Sequence, residues 1–214
     1  MTTPRDDAPV PAEQLEVERK YDLPADAVVP DLAGVGPVAT VRRHDVATLR
    51  AEYHDTADRA LLAARVTLRR RTGGHDAGWH LKLPGDRGRR ELHAPLGDEG
   101  QPVPESLLAP VADVLHGEAV APVVLLVTAR SAVDLLDASG RALAELADDH
   151  VEATAPGGGR SVAWREWEVE LAPGADAAEG EALLDAVEDA LAAVGATASS
   201  SRSKLARALG LLDA

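Results

Sequence analysis

Leu15-Glu16-Val17-Glu18-Arg19-Lys20-Tyr21 decides the fold. In an extended chain successive side chains point to opposite faces, so Leu15, Val17, Arg19 and Tyr21 share one side and Glu16, Glu18 and Lys20 the other. That second face is charged throughout. A single strand of this kind reads as half-buried β-structure with its polar side in water. The pattern recurs, however, in residues 66–71, 78–83, 89–93, 125–130, 142–149 and 164–171. Some of these charged faces are rich in Arg and Lys and others in Glu and Asp, which a solvated surface does not require. Closing the sheet into an antiparallel barrel gives them a common interior. Such an interior must be wet and its charges balanced, by one another or by ligands, because an unpaired buried charge is prohibitively costly. A polyanion with divalent cations satisfies both sets.

Turn signals separate the strands: Thr72-Gly73-Gly74, Pro84-Gly85-Asp86, Ser139-Gly140 and Pro156-Gly157-Gly158-Gly159 predict hairpins. Helices are expected over residues 57–64, 104–115, 178–194 and 204–212, the third with an apolar stripe of Leu183, Leu184, Val187, Leu191 and Val194. The fold class is therefore α+β, a β-barrel with flanking helices. Residues 1–13 are polar and punctuated by proline and read as a disordered lead-in, with one domain over 14–214.

Composition narrows the chemistry. A formal net charge of −14 argues against nucleic acid as a partner, since phosphate backbones are met by basic surfaces. Any anion must be bound by a local cluster. Cysteine is absent, which excludes disulfides, thiolate catalysis and Cys-ligated zinc. Neither a signal-type apolar segment nor a run of 18 apolar residues occurs, so no membrane partner and a cytoplasmic location are expected. The core must be built from Val, Leu and Ala around Trp79, Trp164 and Trp167.

Glu16-Val17-Glu18-Arg19-Lys20 resembles the ExExK signature of the CYTH superfamily, the triphosphate tunnel metalloenzymes. The resemblance extends through Tyr53-His54-Asp55-Thr56, Leu68-Arg69-Arg70-Arg71, Trp79 to Pro84, Arg89-Arg90-Glu91, Arg130 and Asp148-Asp149. It ends with Glu166 to Leu171 and Ser203 to Arg207, so it covers roughly residues 14–212 in order. It implies an eight-stranded antiparallel tunnel that binds a triphosphate through basic residues and one or two Mg²⁺ or Mn²⁺ ions through carboxylates. The family spans inorganic triphosphatases, thiamine-triphosphatases, RNA triphosphatases and class IV adenylate cyclases.

Hard divalent cations take oxygen ligands, and Glu16 with Glu18, then Glu168 with Glu170, are carboxylate pairs at i and i+2 on single strand faces. With Asp149 they are the expected metal ligands. Glu145 shares the face of Asp149 in a regular strand, whereas Asp148 points outward. Lys20, Arg69, Arg71, Lys82, Arg89, Arg130 and Lys204 are the expected phosphate ligands, Arg supplying planar forks and Lys point charges. Arg19, Arg70 and Arg90 read as surface residues, His80 as structural or exposed, and Arg207 either as a member of the cluster or as an exposed cap. Glu16, Glu18 and Lys20 are the expected catalytic residues.

The activity so predicted is hydrolysis of a small-molecule triphosphate or polyphosphate: inorganic tripolyphosphate first, a nucleoside or thiamine triphosphate next. A class IV adenylate cyclase and a non-catalytic polyphosphate-binding module are the alternatives. Monomer and homodimer are equally compatible with the sequence.

Overall fold

Val17 interrupts the opening strand and so joins two edges of one sheet. The computed structural model describes residues 11–98, 100–157 and 161–210. Its strands are β1 (Ala12–Glu16), β2 (Glu18–Asp22), β3 (Thr40–Arg43), β4 (Ala47–Asp55), β5 (Thr67–Thr72), β6 (Gly78–Pro84), β7 (Arg89–Ala94), β8 (Ala121–Leu136), β9 (Ala142–Thr154), β10 (Ser161–Leu171) and β11 (Thr197–Ala198). The hydrogen-bonded order is β1-β7-β6-β5-β4-β8-β9-β10-β2-β11, with β3 on β8, and the pairings are antiparallel. Glu16 on β1 sits opposite Arg89 while Glu18 on β2 sits opposite Glu170. The Val17 carbonyl accepts from Leu171 N at 2.9 Å. One strand thus brings β7 and β10 together and curls the sheet into a barrel-like wall, although the hydrogen-bonded order itself runs open from β1 to β11.

Eleven strand segments stand where eight were expected. The difference lies in the break at Val17 and in the short β3 and β11; β1 and β2 taken as one strand, with β4 to β10, make up the main wall. The strand also reaches back to Ala12, so residues 12 and 13, expected in the lead-in, pair with His93 and Leu92. Residues 1–10 lie outside the described residues, as do 158–160 of the predicted glycine hairpin and 211–212 of the last predicted helix.

The helices cover the outside and one end. They are α1 (Ala60–Ala63), α2 (Glu105–Leu108), α3 (Ala112–Leu115), α4 (Ala177–Ala192) and α5 (Lys204–Ala208). The predicted helix 104–115 is divided by a 3-10 turn at Ala109–Val111, where Pro110 removes a backbone donor. Helix α4 lays Leu183, Leu184, Val187 and Leu191 against Tyr21, Trp167 and Val169. Arg19, expected to be a plain surface residue, is the clamp for that helix: its guanidinium meets Asp185 and Glu188 at 2.7 Å and Glu181 as well. The carboxylate of Asp55 is buried and accepts from Thr56 N, Leu61 N and Leu62 N at 2.8, 2.9 and 3.0 Å, which nails α1 to the end of β4.

Two kinds of interior result from alternation along the strands. Ala51, Val124, Leu126, Val151 and Ala153 fill one end of the barrel with Leu205 of α5 as the stopper. Further along the same inward faces the side chains become charged.

Candidate active site

Arg130 and Asp149 are register partners, as are Asp149 with Glu166 and Glu168 with Lys20, so four strands deliver charge at one level. Above the apolar stopper they enclose a cavity of about 750 Å³. Arg69, Arg71, Lys82 and Arg89 line it from β5, β6 and β7 on one side of the sheet order, and Arg130, Lys20 and Lys204 complete the basic set. The seven basic residues singled out in the sequence therefore face one space. Glu18, Glu168 and Glu170 line the same space. Glu16 and Asp149 are buried in its wall, at 1% and 0% exposure, and Glu16 borders a smaller opening shared with Glu18, Lys20 and Arg89. That opening needs Gly88, because a Cβ there would meet the Glu16 carbonyl oxygen at 2.3 Å.

The charges are not paired evenly. Lys204 Nζ lies 2.9 Å from Asp149, 2.8 Å from Glu166 and 2.6 Å from Glu168. Arg130 holds Asp149 in a fork of 2.7 and 2.6 Å and reaches Glu168 at 2.9 Å. Lys20 meets Glu18 at 2.8 Å and also Glu168. Burial opposes ionisation of Asp149 and Glu168, but Lys204 beside the first and Lys20 and Lys204 beside the second hold both carboxyls below their ordinary range. Burial resists ionisation of Glu18 too, yet the Lys20 ammonium pulls it down to about 2. Asp148, by contrast, turns outward to Arg165 at 2.7 Å.

A second acidic group is left with little compensation. Carboxylate oxygens of Glu16, Glu18 and Glu170 lie within 4.8 Å of one another. Lys82 Nζ approaches Glu16 Oε1 at 2.6 Å, while Glu16 Oε2 is buried without a hydrogen-bond partner among the described residues. Burial and the neighbouring Glu16 push Glu170 up to about 7, and burial raises Glu16 as well. Three converging carboxylates, two of which resist ionisation and one of those with an orphaned buried oxygen, are the donor set a hard divalent cation requires.

Among the basic residues, Arg69 and Arg89 hydrogen-bond only to neutral oxygens within the described residues. Arg69 donates to the Tyr53 hydroxyl at 3.4 Å, and Arg89 to Thr67 Oγ1 at 3.0 Å and the Lys82 carbonyl at 3.4 Å. Burial, with Arg69 and Arg130 nearby, lowers the Arg71 guanidinium to about 9. The Arg69 and Arg89 forks lack the carboxylate braces that hold Arg130.

Three participants, Glu166, Glu91 and Asp76, have no role assigned from the sequence, and Arg207 is the residue read there either as a member of the cluster or as an exposed cap. Glu166 completes a carboxylate group with Asp149 and Glu168, its oxygens within the same 4.8 Å limit. Its parity with Glu168 and Glu170 was the available signal. Glu91 accepts from buried His80 Nδ1 at 2.7 Å and faces Lys82 at 3.8 Å. Burial outweighs that hydrogen bond and lowers the His80 imidazole to about 4. Arg207 joins the edge of the network through Asp22 and Glu166 and stacks on Trp164 with 5.4 Å to the ring centre. Asp76 comes from the β5–β6 loop and is paired with Arg71.

A family model described as the CYTH domain matches residues 14–209. Two curated relatives, uncharacterised proteins of Mycobacterium tuberculosis strains CDC 1551 and H37Rv, are each 41% identical over 215 residues, 95% of this chain. The chain spans only 42% of the length of either. Among solved structures, a candidate adenylate cyclase from Bacillus halodurans superposes with a TM-score of 0.58 at 18% identity, covering 91% of this chain and 97% of that one. A Pyrococcus horikoshii protein gives 0.53 at 17% identity over 91% and 98%. A candidate adenylyl cyclase from Hippeastrum, whose dominant activity is triphosphatase, gives 0.51 at 18% identity over 92% and 96%. At these identities the likeness to solved structures is one of fold.

Proposed function

The chain belongs to the CYTH domain family, and from that premise we propose that it hydrolyses a triphosphate in the charged cavity with the help of a divalent cation, Mg²⁺ or Mn²⁺. One juxtaposition carries the reading: Glu16, Glu18 and Glu170, three converging carboxylates with two ammonium groups, Lys82 and Lys20, beside them, share a wall with Arg69 and Arg89, whose hydrogen bonds go to neutral oxygens. A metal-bound oligophosphate neutralises both at once. Inorganic tripolyphosphate is the first substrate to try, with a nucleoside or thiamine triphosphate next; the cavity of about 750 Å³ leaves room for a substituent.

Glu16, Glu18 and Glu170 are the residues that would hold the cation, which supplies Lewis-acid neutralisation of phosphate charge. Arg69 and Arg89 present planar donor forks to phosphate oxygens. Lys20, Lys82, Arg130 and Lys204 are pre-positioned by their carboxylate partners, so little reorganisation accompanies the reaction. Asp149, Glu166 and Glu168 form the other carboxylate group of the wall and are the residues that would hold a second cation. An acidic wall residue orients water onto the terminal phosphorus and accepts its proton; the new P–O bond forms as the anhydride bond breaks, and the departing pyrophosphate oxygen takes the electron pair. No covalent intermediate is required.

The test is product identification with tripolyphosphate, ATP and thiamine triphosphate in Mg²⁺ or Mn²⁺. Orthophosphate release is the expected result; cyclic AMP with pyrophosphate would establish the cyclase instead, and binding without turnover a polyphosphate-binding module. Glu18→Ala and Lys20→Ala should each abolish turnover while the protein stays folded. Unchanged rates in both would refute the assignment.

A further inference from the structure

The basic groups of the cavity differ in what holds them. Lys20, Lys82, Arg130 and Lys204 are paired with carboxylates on strands of the wall. Arg71 is paired with a carboxylate on a loop: Asp76, whose side chain is 42% exposed against 5% for Arg71. Both residues line the cavity. The loop between β5 and β6 reaches back over the cavity mouth by two left-handed glycines, Gly73 and Gly74, at φ +79° and +73°. Its first glycine passes so close to β4 that a Cβ would meet the Thr48 carbonyl oxygen at 2.2 Å. From the other side the buried His80 ring places Nε2 2.9 Å from the Asp76 carbonyl oxygen. The backbone leading to Asp76 is thus held against β4 at Gly73, while its carboxylate needs only side-chain rotation to leave.

The surroundings of Arg71 give such a carboxylate a purpose. Arg71 is buried beside Arg69 and Arg130, and a guanidinium in that position without an anion is costly to keep charged. A phosphoryl group offers three strong acceptor oxygens and more charge than one carboxylate, so it competes successfully for the fork. We propose that Asp76 is a built-in competitor for a phosphate subsite at Arg71, seated on the guanidinium in the free protein and displaced by a phosphoryl group of the substrate. Asp76 then sets the affinity of the cavity for polyanions, because part of the binding free energy is spent on its displacement. The inference rests on the phosphate reading of the cavity given above.

The experiment is titration calorimetry of inorganic tripolyphosphate into the protein in EDTA, where turnover does not interfere. Asp76→Asn should bind about three- to tenfold more tightly than the wild type, the range expected from removing one partly exposed ion-pair competitor. Asp76→Glu, which restores the charge, should return the affinity toward the wild-type value. Asp26→Asn, which removes the same charge from an exposed turn, should leave it unchanged. Equal or weaker binding by Asp76→Asn, with melting temperature preserved, would overturn the competitor while leaving the phosphate site intact. Absence of binding in wild type and variant alike would remove the phosphate reading and this inference with it.

Discussion

Lys204→Met removes one charge and little volume from the most heavily used cation of the cavity. Its ammonium is 2.6 to 2.9 Å from Asp149, Glu166 and Glu168, all four residues being less than a tenth exposed. Stripping one partner from a buried ion pair costs about 3–5 kcal/mol when the other charge is abandoned. Abandonment is incomplete here: Arg130 keeps its fork on Asp149, Lys20 keeps Glu168, and Glu166 retains Trp164 Nε1 at 2.6 Å. The loss should therefore be about 2–3 kcal/mol, a fall in melting temperature of about 4–12 °C for a domain of this size. Thermal unfolding in EDTA at pH 7.5 measures it. Added Mg²⁺ should restore part of the loss in the variant, since the vacated carboxylate group then accepts the divalent ion. Acidification should narrow the gap as well: Asp149 and Glu168 have lowered pKa values in the native protein, so their stabilising contribution is present above their unfolded values and disappears as pH falls through the native ones. A variant that melts within 1 °C of the wild type and turns over triphosphate normally would refute the reasoning.

Three further outcomes follow from the same charge pattern. Glu170 is raised from 4.5 to about 7, so the native state binds the extra proton between those values, and metal-free stability from this group falls as pH rises through that window. Mg²⁺ binding should release a proton below pH 7 and tighten with rising pH, and Glu170→Gln should flatten both dependences in a calorimetric titration. Arg69→Met and Arg89→Met should each lower kcat/KM for tripolyphosphate by about 10- to 100-fold, and Arg89→Met should change stability by less than about 1 kcal/mol because it loses hydrogen bonds to neutral oxygens. Asp55→Ala, which orphans three backbone donors at the α1 end of β4, should lower stability by about 2–4 kcal/mol and leave turnover per folded molecule unchanged.

The inward set was legible because strand alternation is a local property. Glu16, Glu18, Lys20, Arg69, Arg71, Lys82 and Arg130 follow from parity alone once a barrel is assumed, and Asp149 rather than Asp148 follows from the same count. What parity cannot give is which opposite charges meet across the barrel. Arg19 looked like surface, yet three carboxylates of α4 converge on it, more than 160 residues along the chain. The division of the acids into a cation-filled group and a cation-poor group likewise depends on Lys204 arriving from α5. The strand β4 carries the same alternation, Leu49, Ala51 and Tyr53 inward against Thr48, Arg50 and Glu52 outward, but its inward face is uncharged and does not stand out beside the charged ones. Asp76 sits in a glycine turn, where residue type carries little information about direction.

Manganese offers the most direct check, because its anomalous scattering locates the ion without interpretation. Crystals grown with Mn²⁺ and a non-hydrolysable tripolyphosphate analogue should show an anomalous peak bounded by Glu16, Glu18 and Glu170, with phosphate density against Arg69 and Arg89. An ion bound elsewhere, or an analogue lying outside the cavity, would contradict the proposal that this wall was built to complete its charge with a metal and a triphosphate.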